Sequence, residues 1–285
     1  MTIAELRQEF YASLLGRYPS EEVGSFLTIL SEKILNLKRI DLVLRSNNEL
    51  SENQQQEFKN AVKRLQKFEP IQYITGETEF FSLPFKVNKH TLIPRPETEE
   101  LVQWILDISQ TKNPANLDIL DIGTGSGCIA ISLAKNLTPA AVSALDISSE
   151  ALKIAHRNAI NNKVAITFEQ RDILKVSKLP KLYDIIVSNP PYVREMEKKA
   201  MHKNVLEYEP AAALFVSNVD PLVFYKAIAR LAKHNLKPGG ALFFEINEYL
   251  SETLSVELKN IGFNAIEIRK DLFGKDRMIK CALHE

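Results

Sequence analysis

Apolar residues at helical spacing open the chain. Phe26, Leu30 and Ile34, and later Phe58, Val62 and Leu65, recur every three or four positions, which predicts amphipathic helices packed into a small bundle. Thr2 with Glu5 and Ser51 with Gln54 have the spacing of capping boxes, Ser20 after Pro19 is expected to cap a further helix, and Glu69-Pro70 stops the last one. From Thr75 to Val87 aromatic and polar residues alternate around Ser82-Leu83-Pro84, the signature of a hairpin. Pro94, Pro96, Glu97, Glu99 and Glu100 then open a helix whose Leu101, Ile105 and Ile108 face a core.

After Asp118 the pattern changes. Short apolar runs at 118–122, 141–145, 166–169, 184–188 and 241–246 read as strands, and helical stretches at 128–136, 149–161, 221–236 and 251–260 separate them. This alternation predicts an α/β, Rossmann-like, doubly wound and mostly parallel sheet. Two extended runs around Phe273-Gly274-Lys275-Asp276 close the chain as a hairpin that places an antiparallel strand at one edge. Three regions are expected: a helical domain at 1–70, a linker with a β-hairpin at 71–93, and an α/β domain at 94–285.

Composition narrows the field. With 285 residues, 45% of them hydrophobic, the chain is large enough for one sizeable core and a smaller one. Lys+Arg and Asp+Glu both total 36, so the basic excess typical of duplex-DNA binders is absent and direct nucleic-acid binding is not expected. Cys128 and Cys281 fit neither a disulfide framework nor a zinc site, and His90, His156, His202, His234 and His284 have no ligand spacing, so no metal is expected. Charges at Glu5, Arg7 and Glu9 argue against a signal peptide, and no apolar run approaches the roughly 18 residues that span a bilayer. A cytoplasmic monomer without membrane contact is expected.

Two turns carry chemistry. Asp121-Ile122-Gly123-Thr124-Gly125-Ser126-Gly127 joins the first core strand to a helix, and its alternate glycines let a ligand lie against the backbone. No Gly-Lys-Ser/Thr ending follows, which excludes a phosphate loop. A dinucleotide fingerprint needs its third glycine where Cys128 stands, which argues against a hydride-transferring oxidoreductase. The compact Gly-x-Gly-x-Gly spacing is similar to the S-adenosylmethionine loop of Rossmann-like methyltransferases. Asp146 ends the second strand, where an acid can accept both ribose hydroxyls or, alternatively, cap the following helix. Asp172 could accept from the adenine amino group and Ile173 could cover the adenine face; strand-end and core duty are the alternatives for the pair. Cys128 is expected to be a small core residue.

Ser188-Asn189-Pro190-Pro191-Tyr192 follows the fourth strand. An amide or aromatic amine nitrogen is a weak nucleophile because its lone pair is delocalised. The side-chain oxygen of Asn189 and the carbonyl of Pro190 can accept its two hydrogens and aim the nitrogen at a methyl donor. Proline adds no N–H, so Pro190 and Pro191 make a rigid, acceptor-only turn, and Tyr192 can lie flat against a planar acceptor. No base is needed before transfer, in keeping with the lack of a nearby histidine. A protein glutamine and an adenine amino group both present such a planar NH2; base flipping and a basic recognition region would be needed for adenine. A binding module that kept the fold and lost catalysis is the third class, and the intact turns argue against it.

Beyond these turns, Ile71-Gln72-Tyr73-Ile74-Thr75-Gly76, Leu92-Ile93-Pro94-Arg95-Pro96-Glu97-Thr98-Glu99, Glu209-Pro210 and Lys270-Asp271-Leu272-Phe273-Gly274-Lys275-Asp276-Arg277 resemble the peptide chain release factor glutamine methyltransferases of the HemK or PrmC type, over nearly the whole chain. The resemblance implies S-adenosylmethionine as cofactor, contacted by Gly123 to Gly127, Asp146 and Asn189. It implies class-1 release factors as substrate, with the glutamine of their Gly-Gly-Gln motif held by Asn189, Pro190, Pro191 and Tyr192. Family members often carry an aromatic residue where this chain has Ile173. The Pro96-Glu97-Thr98-Glu99 form is closer to the release-factor branch than to the ribosomal-protein glutamine branch, which has a Ser-Pro form. The helical domain is expected to grip the release factor away from the glutamine, because a Gly-Gly-Gln tip offers little surface for specificity.

Overall fold

The computed structural model describes residues 1–111 and 116–283. The chain folds as two compact units. One comprises Met1–Gly76 and His202–Tyr208, the other Glu77–Met201 and Glu209–Glu285. The division differs from the expected 1–70, 71–93 and 94–285 in two ways: it falls between Gly76 and Glu77, and a short segment from the second half of the chain joins the first unit.

The first unit holds α1 (Ile3–Leu14), α2 (Ser20–Leu35), α3 (Asp41–Leu44), α4 (Glu52–Leu65) and α5 (Ile71–Thr75). Both expected capping boxes are present, with Thr2 and Glu5 exchanging hydrogen bonds of 2.8 and 3.2 Å and Ser51 and Gln54 bonds of 2.9 and 3.3 Å. Ser20 departs from expectation: it is already helical, Pro19 takes the cap position, and no side chain caps there. Leu6, Phe10, Leu30, Phe58 and Leu65 are buried in one core. The segment after the Asn-Pro-Pro-Tyr turn returns to this unit, where the Tyr208 hydroxyl donates to the Lys67 carbonyl at 2.8 Å and the Lys203 ammonium lies 5.7 Å from the Phe68 ring centre.

The second unit starts with the hairpin β1 (Glu77–Phe80) and β2 (Leu83–Lys86). Its turn is Phe81-Ser82, with positive φ at both residues, one step before the expected Ser82-Leu83-Pro84. α6 (Pro96–Thr111) leads to β3 (Leu117–Ile122), α7 (Cys128–Asn136), β4 (Ala140–Asp146), α8 (Ser149–Asn162), β5 (Ile166–Gln170) and β6 (Tyr183–Ser188). Short elements follow, β7 (Val193–Arg194), α9 (Lys203–Tyr208, within the first unit), α10 (Ala211–Leu214) and β8 (Phe215–Val216). The chain closes with α11 (Val223–Asn235), β9 (Leu236–Glu245), α12 (Ser251–Ile261), β10 (Phe263–Lys270) and β11 (Asp276–Leu283).

Seven strands form one sheet in the order β10-β11-β9-β6-β3-β4-β5. β5, β4, β3, β6 and β9 are parallel, so their five carboxyl ends share one edge. The direction of winding reverses between β3 and β6, the switch point at which such sheets bind ligands. The closing hairpin supplies the expected antiparallel pairing: β11 inserts against β9, and β10 takes the edge against β11. β9 starts earlier than the expected 241–246 and runs through Pro238-Gly239-Gly240. A Cβ at Gly240 would lie 3.1 Å from the carbonyl oxygens of Asp184 and Tyr183, so glycine lets the two strands meet there. Core residues cover both faces, with Trp104 edge-on to Phe243 on one and Tyr225 edge-on to Phe244 on the other.

Candidate active site

The two turns singled out in the sequence leave neighbouring strands at paired residues. Ile122 lies opposite Ser188, whose hydroxyl donates to the Ile122 carbonyl at 2.6 Å. Both turns therefore emerge from the same edge of the sheet, on either side of the switch point.

Gly123, Gly125 and Gly127 all have positive φ, of 74°, 55° and 84°. Their surroundings differ. At Gly123 and Gly125 an added Cβ would meet nothing within 4 Å, which leaves open backbone for a ligand. At Gly127 it would lie 2.9 Å from Ile131 Cδ1 and 3.2 Å from Ala155 Cβ, because α7 packs closely on α8. Gly127→Ala is thus expected to destabilise the fold by about 1–3 kcal/mol, read as a lower denaturant midpoint at unchanged slope.

Asp146 meets the glycine turn directly. Its Oδ2 accepts from the Gly125 N–H at 2.8 Å and its Oδ1 from the Ser148 N–H at 2.8 Å. Ser148, not Asp146, caps α8 by accepting from the Ala151 N–H. Burial raises the Asp146 carboxyl above its ordinary range against these two bonds. Asp172 has different partners. It caps a 3-10 turn through the Leu174 N–H at 3.1 Å and pairs with Lys175 at 3.1 Å, which lowers its pKa. Ile173 beside it packs against the main core. Cys128 is a partly buried thiol that burial pushes up to about 12, so it is not a reactive thiolate.

In the sequence Asp121 stands out only as part of the glycine motif, and its burial is not legible there. It is fully buried; its Oδ2 accepts from the Thr124 hydroxyl at 2.6 Å, while Oδ1 has no hydrogen-bond partner. Burial pushes its carboxyl up to about 7. A buried carboxylate with an idle oxygen, beside a glycine turn with open backbone, fits a ligand that brings a cation. S-adenosylmethionine carries an ammonium and a sulfonium as well as a ribose. Asp121 could hold the ammonium, the Gly123–Gly127 turn the methionyl portion, and Asp146 the ribose.

On the β6 side, Pro190 is buried and Asn189, Pro191 and Tyr192 are half-buried. The Asn189 Nδ2 donates to Thr98 Oγ1 at 3.2 Å, Thr98 Oγ1 donates to Glu245 Oε2 at 2.6 Å, and the Tyr192 hydroxyl donates to Glu245 Oε1 at 3.0 Å. Asn247 Nδ2 donates to the Tyr192 carbonyl at 3.1 Å. Burial and the neighbouring Glu245 push the Tyr192 hydroxyl well above its ordinary range, so it stays a neutral donor. Thr98 at the start of α6 and Glu245 at the end of β9 were not expected here; they are 91 and 56 residues from Asn189 in sequence. Glu209, also buried, accepts from the Ile93 N–H at 3.1 Å and from Arg95 Nη2 at 2.5 Å, which ties Leu92–Pro96 to Glu209-Pro210.

Among the described residues no group of His, Cys, Asp and Glu is arranged to hold a metal, and no helix is long and apolar enough to cross a membrane. His284, one of the five histidines considered, lies outside the described residues.

Sheet order and the turns at the switch point are those of a Rossmann-like methyltransferase whose methyl donor is S-adenosylmethionine. Residues 105–214 match the "Methyltransferase small domain" family and residues 5–76 the "PrmC N-terminal domain" family. The release factor glutamine methyltransferase of Flavobacterium psychrophilum is 51% identical, over 98% of this chain and 99% of that one. That of Bacteroides thetaiotaomicron is 46% identical, over 94% and 95%. The chain belongs to the release factor glutamine methyltransferase family. Among solved structures, the hMettl16 catalytic domain in complex with MAT2A 3'UTR hairpin 6 aligns with a TM-score of 0.56 at 14% identity, over 82% of this chain and 83% of that one. A methyltransferase from Pyrococcus furiosus aligns with a TM-score of 0.51 at 18% identity, over 81% and 98%. Both share the fold.

Proposed function

We propose that the chain methylates the side-chain amide nitrogen of the glutamine in the Gly-Gly-Gln motif of class-1 peptide chain release factors, and that Asn189 and Pro190 hold that amide. The observation that carries the reading is the exit of the glycine turn and the Asn-Pro-Pro-Tyr turn from paired residues of β3 and β6. Bound S-adenosylmethionine supplies a methyl group activated by its sulfonium. Gly123, Thr124, Gly125, Ser126, Gly127 and Asp146 would cradle it, with Asp121 to hold the ammonium and Asp172 and Ile173 to meet the adenine. Asn189 Oδ1 and the Pro190 carbonyl each accept one hydrogen of the substrate NH2, which directs the nitrogen lone pair out of the amide plane and stabilises positive charge as it develops. Pro191 stiffens the turn, and Tyr192, anchored on Glu245, lines its flat face. The methylated nitrogen then sheds its extra proton to solvent, so the site needs no side-chain base.

Labelled S-adenosylmethionine tests this reading with whole release factor and with a factor whose motif glutamine is replaced by alanine. Label is expected in the first and not in the second; equal labelling of both contradicts it. The helical unit is proposed to dock the factor, supported by Ile40, Val43 and Leu44, which are 61%, 60% and 74% exposed on and beside α3. Charged residues at Val43 and Leu44 are expected to raise KM for whole factor and leave that for a short Gly-Gly-Gln peptide unchanged. Deletion of residues 1–70 is the poorer test, because it removes Lys67 and Phe68, the partners of Tyr208 and Lys203.

A further inference from the structure

A carboxamide is nearly symmetrical in shape but not in chemistry. If Asn189 turned its NH2 toward the substrate, donor would face donor and the amide would be repelled. Something in the protein must therefore choose which end faces the crevice. We propose that Thr98 and Glu245 are positioning residues that make this choice, by fixing the Asn189 side chain so that Oδ1 is presented to the substrate. The inference rests on the reading of Asn189 as the acceptor for the substrate amide.

The hydrogens run in one direction along a chain of contacts. Glu245 accepts at both oxygens, from the Thr98 hydroxyl at 2.6 Å and from the Tyr192 hydroxyl at 3.0 Å. Thr98 has one hydroxyl hydrogen, and Glu245 takes it, so only lone pairs of Oγ1 remain for Asn189. The contact with Asn189 at 3.2 Å is then satisfied by Nδ2 and by no other end of the amide, because Oδ1 there would set acceptor against acceptor. Thr98 and Glu245 are 2% and 1% exposed, so water has little access with which to replace either. The polarity of a buried carboxylate is thus passed through a hydroxyl to the amide that touches the substrate. Three elements contribute to the relay: the first turn of α6, the end of β9 and the turn after β6.

Four variants test it with whole release factor as substrate: T98V, T98S, E245Q and N189A. Valine keeps the shape of threonine and removes the hydroxyl, and serine restores it. For T98V, kcat is expected to fall about 10- to 100-fold, with KM and the S-adenosylmethionine Kd within about threefold of wild type. T98S is expected to return kcat to within about threefold of wild type. In E245Q an amide hydrogen can be given to Thr98 Oγ1, which frees the threonine hydrogen to attract Oδ1 of Asn189; kcat is expected to fall at least about tenfold while the folded state persists in a thermal melt. Unchanged turnover in T98V, or T98S as impaired as T98V, overturns the relay; should T98V fail to fold, unchanged turnover in E245Q overturns it instead. N189A separates the two ideas. If it loses turnover while T98V and E245Q keep theirs, the relay alone fails; if N189A itself keeps turnover, the reading of Asn189 fails.

Discussion

Asn189→Ala is expected to lower turnover on the order of 10²- to 10³-fold while weakening S-adenosylmethionine binding less than about tenfold. The asymmetry comes from where the side chain sits. Asn189 belongs to the turn after β6, and its hydrogen bond goes to Thr98, not to the glycine turn or Asp146. On the proposed reading, its removal deletes one of two acceptors for the substrate NH2 and leaves the donor cradle on β3 and β4 in place. Steady-state kinetics with whole release factor, beside calorimetric titration of the donor, measures both effects. A variant with wild-type turnover would remove Asn189 from the reaction, whereas a loss of donor affinity as large as the loss of turnover would make it a cofactor residue only.

Asp121→Asn is expected to move stability and donor affinity in opposite directions. The carboxyl is pushed by burial from its ordinary 3.8 up to about 7. Between those values the folded chain keeps a proton that the unfolded chain has released, so the ligand-free protein loses stability as pH rises from about 4 to about 7. Three pH units of such a shift correspond to at most about 4 kcal/mol. The asparagine variant carries no charge to bury. Its melting temperature without ligand should therefore exceed that of wild type at pH 8, with the difference vanishing near pH 4. On the proposed reading it also lacks the negative charge offered to the donor's ammonium, and S-adenosylmethionine affinity at pH 8 should fall about 10- to 100-fold. A variant that melts with wild-type pH dependence, or binds the donor as well, contradicts this assignment.

What could be read from the sequence was what is local along it. The capping boxes at Thr2 and Ser51 depend on residues three apart, and the glycine and Asn-Pro-Pro-Tyr turns each occupy a few consecutive positions. The strand–helix alternation gave the doubly wound sheet because its period is also local. Where sequence reasoning fell short, the cause was distance or burial. Nothing near Asn189 names Thr98 or Glu245 as its neighbours; those residues meet because α6, β6 and β9 converge at one edge. Asp121 stands in plain view in the motif, yet its idle oxygen and raised pKa exist only once β3 is buried in the sheet. The insertion of β11 between β9 and β10, and the return of α9 to the helical unit, are tertiary choices that no hydrophobic period encodes. Asp172, expected to end the third strand, lies two residues beyond β5, and its observed bonds are a cap and an ion pair.

The most direct test of the account is mass mapping of the product. The protein is incubated with S-adenosylmethionine and a class-1 release factor, the factor is digested, and the modified peptide is fragmented to locate the added group. One methyl on the side-chain nitrogen of the Gly-Gly-Gln glutamine is the predicted result. A methyl on any other residue, or transfer only to adenine when nucleic acid is supplied in place of the factor, would contradict it.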